Sequence, residues 1–120
     1  MSYRIVLNDV PVVSKKNRMR FGRKRVFKPK NVVEFEQALH QAAKDCGPPE
    51  PLLGDVTMTV DVTVPNRIRR DLQNFMDTIA DALNGIIYCD DSQIVDLHIR
   101  KFFSSEKRWG LDICVDVKQP

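Results

Sequence analysis

The chain is poor in cysteine. Cys46, Cys89 and Cys114 are its three, widely spaced and without a Cys-x-x-Cys pair. An odd, scattered set argues against a disulfide framework and against a zinc site, and it suits a reducing compartment. Long apolar runs are missing as well. The opening MSYRIVLNDV lacks the extended apolar stretch of a secretory leader, and no segment approaches the roughly 20 apolar residues that cross a bilayer. A cytoplasmic protein with no membrane partner is the expectation. There is no GxxxxGK followed by Ser or Thr, and no GxGxxG, so nucleotide hydrolysis is not indicated. No Ser-His or Cys-His arrangement suggests a covalent nucleophile. Internal repeats and low-complexity tracts are absent too.

Acidic residues are missing from one long stretch. Between Val10 and Val33 there is none, while Lys15, Lys16, Arg18, Arg20, Arg23, Lys24, Arg25, Lys28 and Lys30 all fall there. The overall net charge of +3 hides this asymmetry. Uninterrupted cations repel one another unless a partner neutralises them. A phosphate backbone supplies that charge, and each neutralised phosphate releases counterions. The run therefore points to a polyanion such as nucleic acid, against the plainer reading of a solvated mobile loop. Phe21 and Phe27 within it either anchor the segment or contact bases.

What is present fits one domain, residues 1–120, long enough to bury a core without staples. Tyr3 to Asn8 alternates as a short strand that Pro11 ends. Arg20 to Phe27 reads as a hairpin turning at Gly22 or as a mobile loop. Asn31 to Cys46 reads as a helix, with Val32, Phe35, Leu39, Ala42 and Ala43 on one stripe, stopped by Gly47-Pro48-Pro49. His40 within it is expected at the surface or the boundary. Asp55 to Pro65 alternates strictly, Val56, Met58, Val60, Val62 and Val64 against polar neighbours, and is the clearest strand. Leu72 to Asn84 reads as a second helix with Leu72, Phe75, Met76, Ile79, Ala80 and Leu83 apolar, and with Gln73, Asp77, Asp81 and Asn84 on the opposite side. Ser92 to Phe103 and Leu111 to Lys118 read as two strands joined by a polar turn, an antiparallel hairpin. The order predicts an α+β fold: one small domain with a mixed β-sheet and two main helices.

The chemistry concentrates in RIRRDLQNFMDTIADALNGIIYCDDSQIVD, residues 67–96. Three arginines, Arg67, Arg69 and Arg70, lead into Asp71. Asp77 and Asp81 follow on the polar face of the second helix, and Asp90 and Asp91 stand after its end. Singly, each has a plain explanation: Asp71 caps the helix, Asp77 and Asp81 are its solvated face, and Asp90-Asp91 is a turn. Together they are hard oxygen ligands of the kind that magnesium or manganese prefers, placed beside cations that offset charge on a phosphate.

RRDLQNFMDTIADALNGIIYCDDSQIVD resembles the signature of the RusA-type Holliday junction resolvases, on Arg70, Asp71, Asn74, Asp81-Ala82-Leu83, Asp90-Asp91 and Gln93. The strand followed by PVVSKKNRMRF resembles the family's opening. The resemblance implies a RusA-like fold, with Asp71 and Asp91 as metal-binding catalytic carboxylates and Asp90 as a helper. It also implies Mg2+, or Mn2+ in its place, and a homodimer that nicks opposing strands of a four-way DNA junction, in a family often carried by phages and prophages. Lys15, Lys16, Arg18, Arg20, Arg23, Lys24, Arg25, Arg67, Arg69 and Arg70 are the candidate DNA-binding residues. The chain departs from the pattern in two places. Gln73 stands where the family has its second Asp, and Asp77 where it has a Lys. Asp77 is one helical turn from Gln73, so it is the candidate to restore the missing charge, giving a metal set of Asp71, Asp77 and Asp91 with Gln73 as a weaker neutral ligand. On that hypothesis Asp77→Asn abolishes metal-dependent cutting, and full activity in that variant contradicts it. The alternative is a branched-DNA-binding relative in which these two changes have impaired cleavage. A structural or protein-binding domain with an incidental basic loop is the third class.

Overall fold

A computed structural model describes residues 2–13, 20–21, 26–27 and 30–118, the two short pairs as backbone only. Strand β1 is Ser2–Asn8, β2 Arg20–Phe21, β3 Val26–Phe27, β4 Val56–Val64, β5 Ile94–Phe103 and β6 Gly110–Val117; helix α1 is Lys30–Cys46 and α2 Leu72–Ala82. A single 3-10 turn, Asp91–Gln93, leads into β5. β2 and β3 form a separate antiparallel ladder, Arg20 opposite Phe27 and Phe21 opposite Val26, which is the hairpin alternative.

The main sheet has the order β1-β6-β4-β5. β6 lies antiparallel to β1 and to β4, and β5 runs parallel to β4. This corrects one expectation. β5 and β6 follow one another across a short turn, yet they do not pair. Parallel strands need a crossover, and α2 supplies it between β4 and β5. That places β5 on the far side of β4 and sends the chain back across the end of β4, where the Ser104 N–H donates to the Val64 carbonyl at 2.9 Å. β6 then fills the slot between β1 and β4. Alternation identifies a strand's buried face but not its neighbour.

The alternation itself is realised. Val56, Met58, Val60, Val62 and Val64 of β4 are buried together with Ile5, Leu7, Leu111, Ile113 and Val115. Val32, Phe35, Leu39 and Ala43 of α1 and Phe75, Met76, Ile79 and Ala80 of α2 complete that core. Both helices therefore cover one face of the sheet. The other face stays polar, with Arg100 paired twice to Asp61 at 2.8 and 2.9 Å and Arg4 to Asp112 at 2.6 and 3.0 Å. His40, within α1, is half-buried. Gly47 closes α1 because a Cβ there would collide with the Ala43 carbonyl oxygen and the Ile87 side chain. Among the described residues no helix is long and apolar enough to cross a membrane, and the three cysteines are free.

One strand departs from the expected burial. Val95, Leu97 and Ile99 share a face as predicted, but Val95 is 47% and Leu97 39% exposed, and Phe102 and Phe103 further along are 45% and 42% exposed. β5 is an edge strand, and α2 covers it only in part.

Candidate active site

The crossover from β4 through α2 to β5 positions every candidate carboxylate. Gln73, Asp77 and Asp81 recur at four-residue spacing, so helical geometry stacks them on one face of α2. That face borders an open groove of about 550 Å³ between α2 and β5, lined by Gln73, Asp77, Asp81 and Asp91 with the apolar Met76 and Val95 among its walls. The Gln73 side-chain nitrogen donates to Asp77 Oδ1 at 2.8 Å.

The Asp90-Asp91 turn is held by a residue outside the candidate set. The Gln93 side-chain oxygen accepts from the N–H groups of Cys89 and Asp90 at 2.8 and 2.9 Å. Its side-chain nitrogen donates to the carbonyls of Leu52 and Gly54 at 2.9 and 2.8 Å. Gln93 thus straps the turn to the connector that precedes β4, and the connector is itself tied by the Leu52 N–H to the Ile87 carbonyl at 2.8 Å. Asp90 caps the 3-10 turn by accepting from the Ser92 N–H at 3.1 Å. Hydrogen bonds from the Ser92 side chain and backbone hold the Asp90 carboxyl below its ordinary range. Asp90 therefore shapes the turn, and Asp91 is the member of the pair that lines the groove. The signal for Gln93 was legible as Asp90-x-x-Gln93, the spacing of a capping box. Asp81 was legible as one turn beyond Asp77.

Beneath the turn, Tyr88 is fully buried and donates to the Ala80 carbonyl at 2.7 Å. Burial pushes its phenol far above the usual range, and the negative charges of Asp91, Asp81 and Asp90 push it further. Three carboxylates thus act on one point at this end of the groove. Among the described residues no three of His, Cys, Asp or Glu already form a metal cage. Magnesium does not ask for one: it keeps several waters and takes one or two carboxylates plus phosphate oxygens. An open groove with Asp91, Asp77 and a neutral amide fits that demand.

Asp71 stands elsewhere. It occupies the N-cap position of α2 with extended backbone, yet its side chain makes no cap hydrogen bond. Only its backbone oxygen accepts, from the Asn74 and Phe75 N–H groups at 3.1 and 3.4 Å. The exposed carboxylate lies 3.8 Å from the Arg69 guanidinium and faces a second hollow, of about 460 Å³, with Asn74, Phe75 and Trp109. Helix capping therefore does not explain this Asp. Asp71→Ala is expected to change stability by less than about 0.5 kcal/mol in a denaturant melt, where losing a working cap costs about 1 kcal/mol.

The expected set of Asp71, Asp77, Asp91 and Gln73 is accordingly split within one chain. Lys101 Nζ donates to the Arg70 carbonyl at 3.0 Å, which fixes the Asp71 end of α2 beside the late part of β5. Asp91 opens the 3-10 turn that leads into β5 at Ile94. Ile94 and Lys101 are seven residues apart, roughly 20 Å along a strand. A helical crossover puts the beginning of α2 at one end of the sheet and the turn after it at the other.

The basic residues divide too. Arg69 is exposed. Arg67 stacks over Phe103 at 4.0 Å. The Arg70 guanidinium folds back on the Asn66 side chain and the Ile68 carbonyl, at 2.9 and 3.2 Å, and over Trp109 at 4.9 Å. Lys15, Lys16, Arg18, Arg23, Lys24 and Arg25 lie outside the described residues, as does the side chain of Arg20.

A family model described as "Endodeoxyribonuclease RusA" matches residues 9–114. Over 38 residues the chain is 53% identical to "Uncharacterized protein YqaN" of Bacillus subtilis (strain 168), a stretch that is 32% of this chain and 27% of that protein. The match thus spans only about a quarter of that relative's length.

Proposed function

The chain belongs to the RusA endodeoxyribonuclease family, and from that membership we propose that it is a metal-dependent endonuclease that resolves four-way DNA junctions by paired nicks, working as a homodimer. The observation that carries the chemistry is the shared groove of Asp91, Asp77 and Asp81 with Gln73. Asp91 and Asp77 would hold Mg2+ there, or Mn2+, with the Gln73 carbonyl as a neutral donor. The bound ion supplies Lewis acidity to the phosphate and a more acidic water. Arg67 and Arg69, at the Asp71 end of α2, and the cations between Val10 and Val33 supply positive charge for the phosphate backbone. Because the Gln73 nitrogen is the end that bonds Asp77, the carbonyl oxygen is the end left for a cation.

The same hydrogen bond supports the second reading, a branched-DNA-binding relative with impaired cleavage, since it occupies one oxygen of Asp77. Calorimetry with Mn2+ separates the two. An active site takes up the ion specifically, and Asp77→Asn weakens uptake by at least about tenfold, the lower bound for disturbing even an outer-shell partner. No specific uptake by the wild-type protein contradicts the nuclease reading and leaves the binding relative.

A further inference from the structure

We propose that the hollow beside Asp71 receives one unstacked nucleobase of a branched DNA, held against Trp109 and Phe75. This deepens the reading above and rests on it for the ligand being DNA.

Helix α2 borders two hollows of different chemistry. The groove toward β5 is walled by carboxylates and aliphatic side chains and has no aromatic ring. The second hollow, of about 460 Å³, has two rings, Phe75 and Trp109, and Asp71 as its one acidic residue among the described residues. An acidic groove suits a cation, whereas rings suit the flat face of a base.

The rings are fixed in place. Phe75 is buried and meets Trp109 edge-on, with centroids 6.3 Å apart. The Trp109 carbonyl accepts from the Asp9 N–H at 2.9 Å, which ties the start of β6 to the end of β1. The Arg70 guanidinium lies over the indole at 4.9 Å. Among the described residues its hydrogen bonds, to Asn66 and Ile68, all leave from Nη1. Nε and Nη2 therefore remain as donors for the acceptor edge of a base, and the guanidinium plane extends the stacking surface.

An amide completes the set. The Asn74 backbone carbonyl accepts from Thr78 at 3.2 Å, and no hydrogen bond among the described residues engages its side chain. That side chain lines the hollow and offers a donor and an acceptor together, which is what reading a base edge requires. The charge lies in the same place. Val13 and Asn31 both line the hollow, so the chain enters and leaves its basic run beside it, and Arg69 lines it too. Phosphates drawn by those cations bring a strand to the rim.

A base inside a continuous duplex is stacked on both sides and cannot enter. A base at a branch point costs least to turn out, because its stacking and pairing are already disturbed. The hollow thus favours branched over linear DNA, and it makes the identity of one base matter.

Abasic scanning tests this. Binding of a synthetic four-way junction is measured by fluorescence anisotropy in EDTA, so that cutting does not enter. Abasic sites are placed one at a time around the branch point. One position is expected to weaken wild-type binding by at least about fivefold, the lower end of what losing a base–aromatic stack costs. That penalty should shrink in Trp109→Leu, because the variant has already lost the stack. Asn74→Ala removes a half-exposed side chain that holds no part of the fold, so it carries the test even where Trp109→Leu does not fold. In Asn74→Ala the four natural bases at the sensitive position should bind alike, where wild type discriminates among them. Junction binding with no sensitive position, or a penalty and a base preference unchanged in these variants, overturns the hollow and leaves the nuclease reading standing. A wild-type protein that binds no junction overturns both.

Discussion

Asp91→Asn is expected to lower magnesium-dependent cleavage of a four-way junction by at least about a hundredfold and to leave the fold intact. Asp91 lines the groove with Asp77 and Asp81, and it is the member of the Asp90-Asp91 pair not consumed in capping the turn. Disturbing an outer-shell partner of a metal typically costs 10–100-fold, so removing a ligand carboxylate lies at or beyond the upper end of that range. The amide keeps the shape and one carbonyl oxygen but loses the charge. Thermal melts of the variant should overlay those of the wild-type protein, because none of the hydrogen bonds that hold the turn uses the Asp91 side chain. Asp90→Asn makes the contrast: its side chain caps the turn, so its principal effect falls on stability. A variant at Asp91 that cuts as fast as wild type removes the groove from the mechanism.

Gln93→Leu is expected to combine two losses. Leucine neither accepts from the Cys89 and Asp90 N–H groups nor donates to the Leu52 and Gly54 carbonyls, so four hydrogen bonds disappear. At about 1 kcal/mol each, discounted for solvent reaching part of the turn, the cost is about 2–3 kcal/mol. For a domain of this size that lowers the melting temperature by about 10 °C. The second loss is at the site. The strap sets where the turn holds Asp91, so Mn2+ affinity measured well below the melting temperature should fall about 10–100-fold. A core variant of equal instability, chosen away from the turn, should leave that affinity unchanged. Equal affinity in Gln93→Leu and wild type would make the strap purely architectural.

Much of the fold was legible because burial writes a period into the sequence. β4 alternates without exception, and α1 and α2 show their stripes, since each has one face on the core and one off it. The pairing of β5 and β6 was not legible. Both strands alternate correctly, but which strand lies next to which is decided by the α2 crossover, and no residue of β5 or β6 encodes it locally. The half-exposure of Val95 and Leu97 was hidden for the same reason, because an edge position is a property of the sheet. At the site, the carboxylates were visible as residue types, and the four-residue spacing of Gln73, Asp77 and Asp81 correctly put them on one face. The separation of Asp71 from Asp91 was not visible. Twenty residues of chain say nothing about distance until the helix between them is known to be a crossover lying alongside β5. Capping assignments also changed hands: Asp71 holds the cap position without the cap bond, while Asp90 makes one.

The measurement that tests the account most directly is cleavage of a labelled synthetic four-way junction in Mg2+ or Mn2+, with linear duplex of the same sequence alongside and Asp91→Asn as control. The account predicts paired, symmetrical nicks in opposing strands of the junction, little cutting of the duplex, and no cutting by the control. Tight, salt-sensitive junction binding without any nicks in either metal would contradict it and establish a binding relative whose Gln73 and Asp77 no longer support the chemistry.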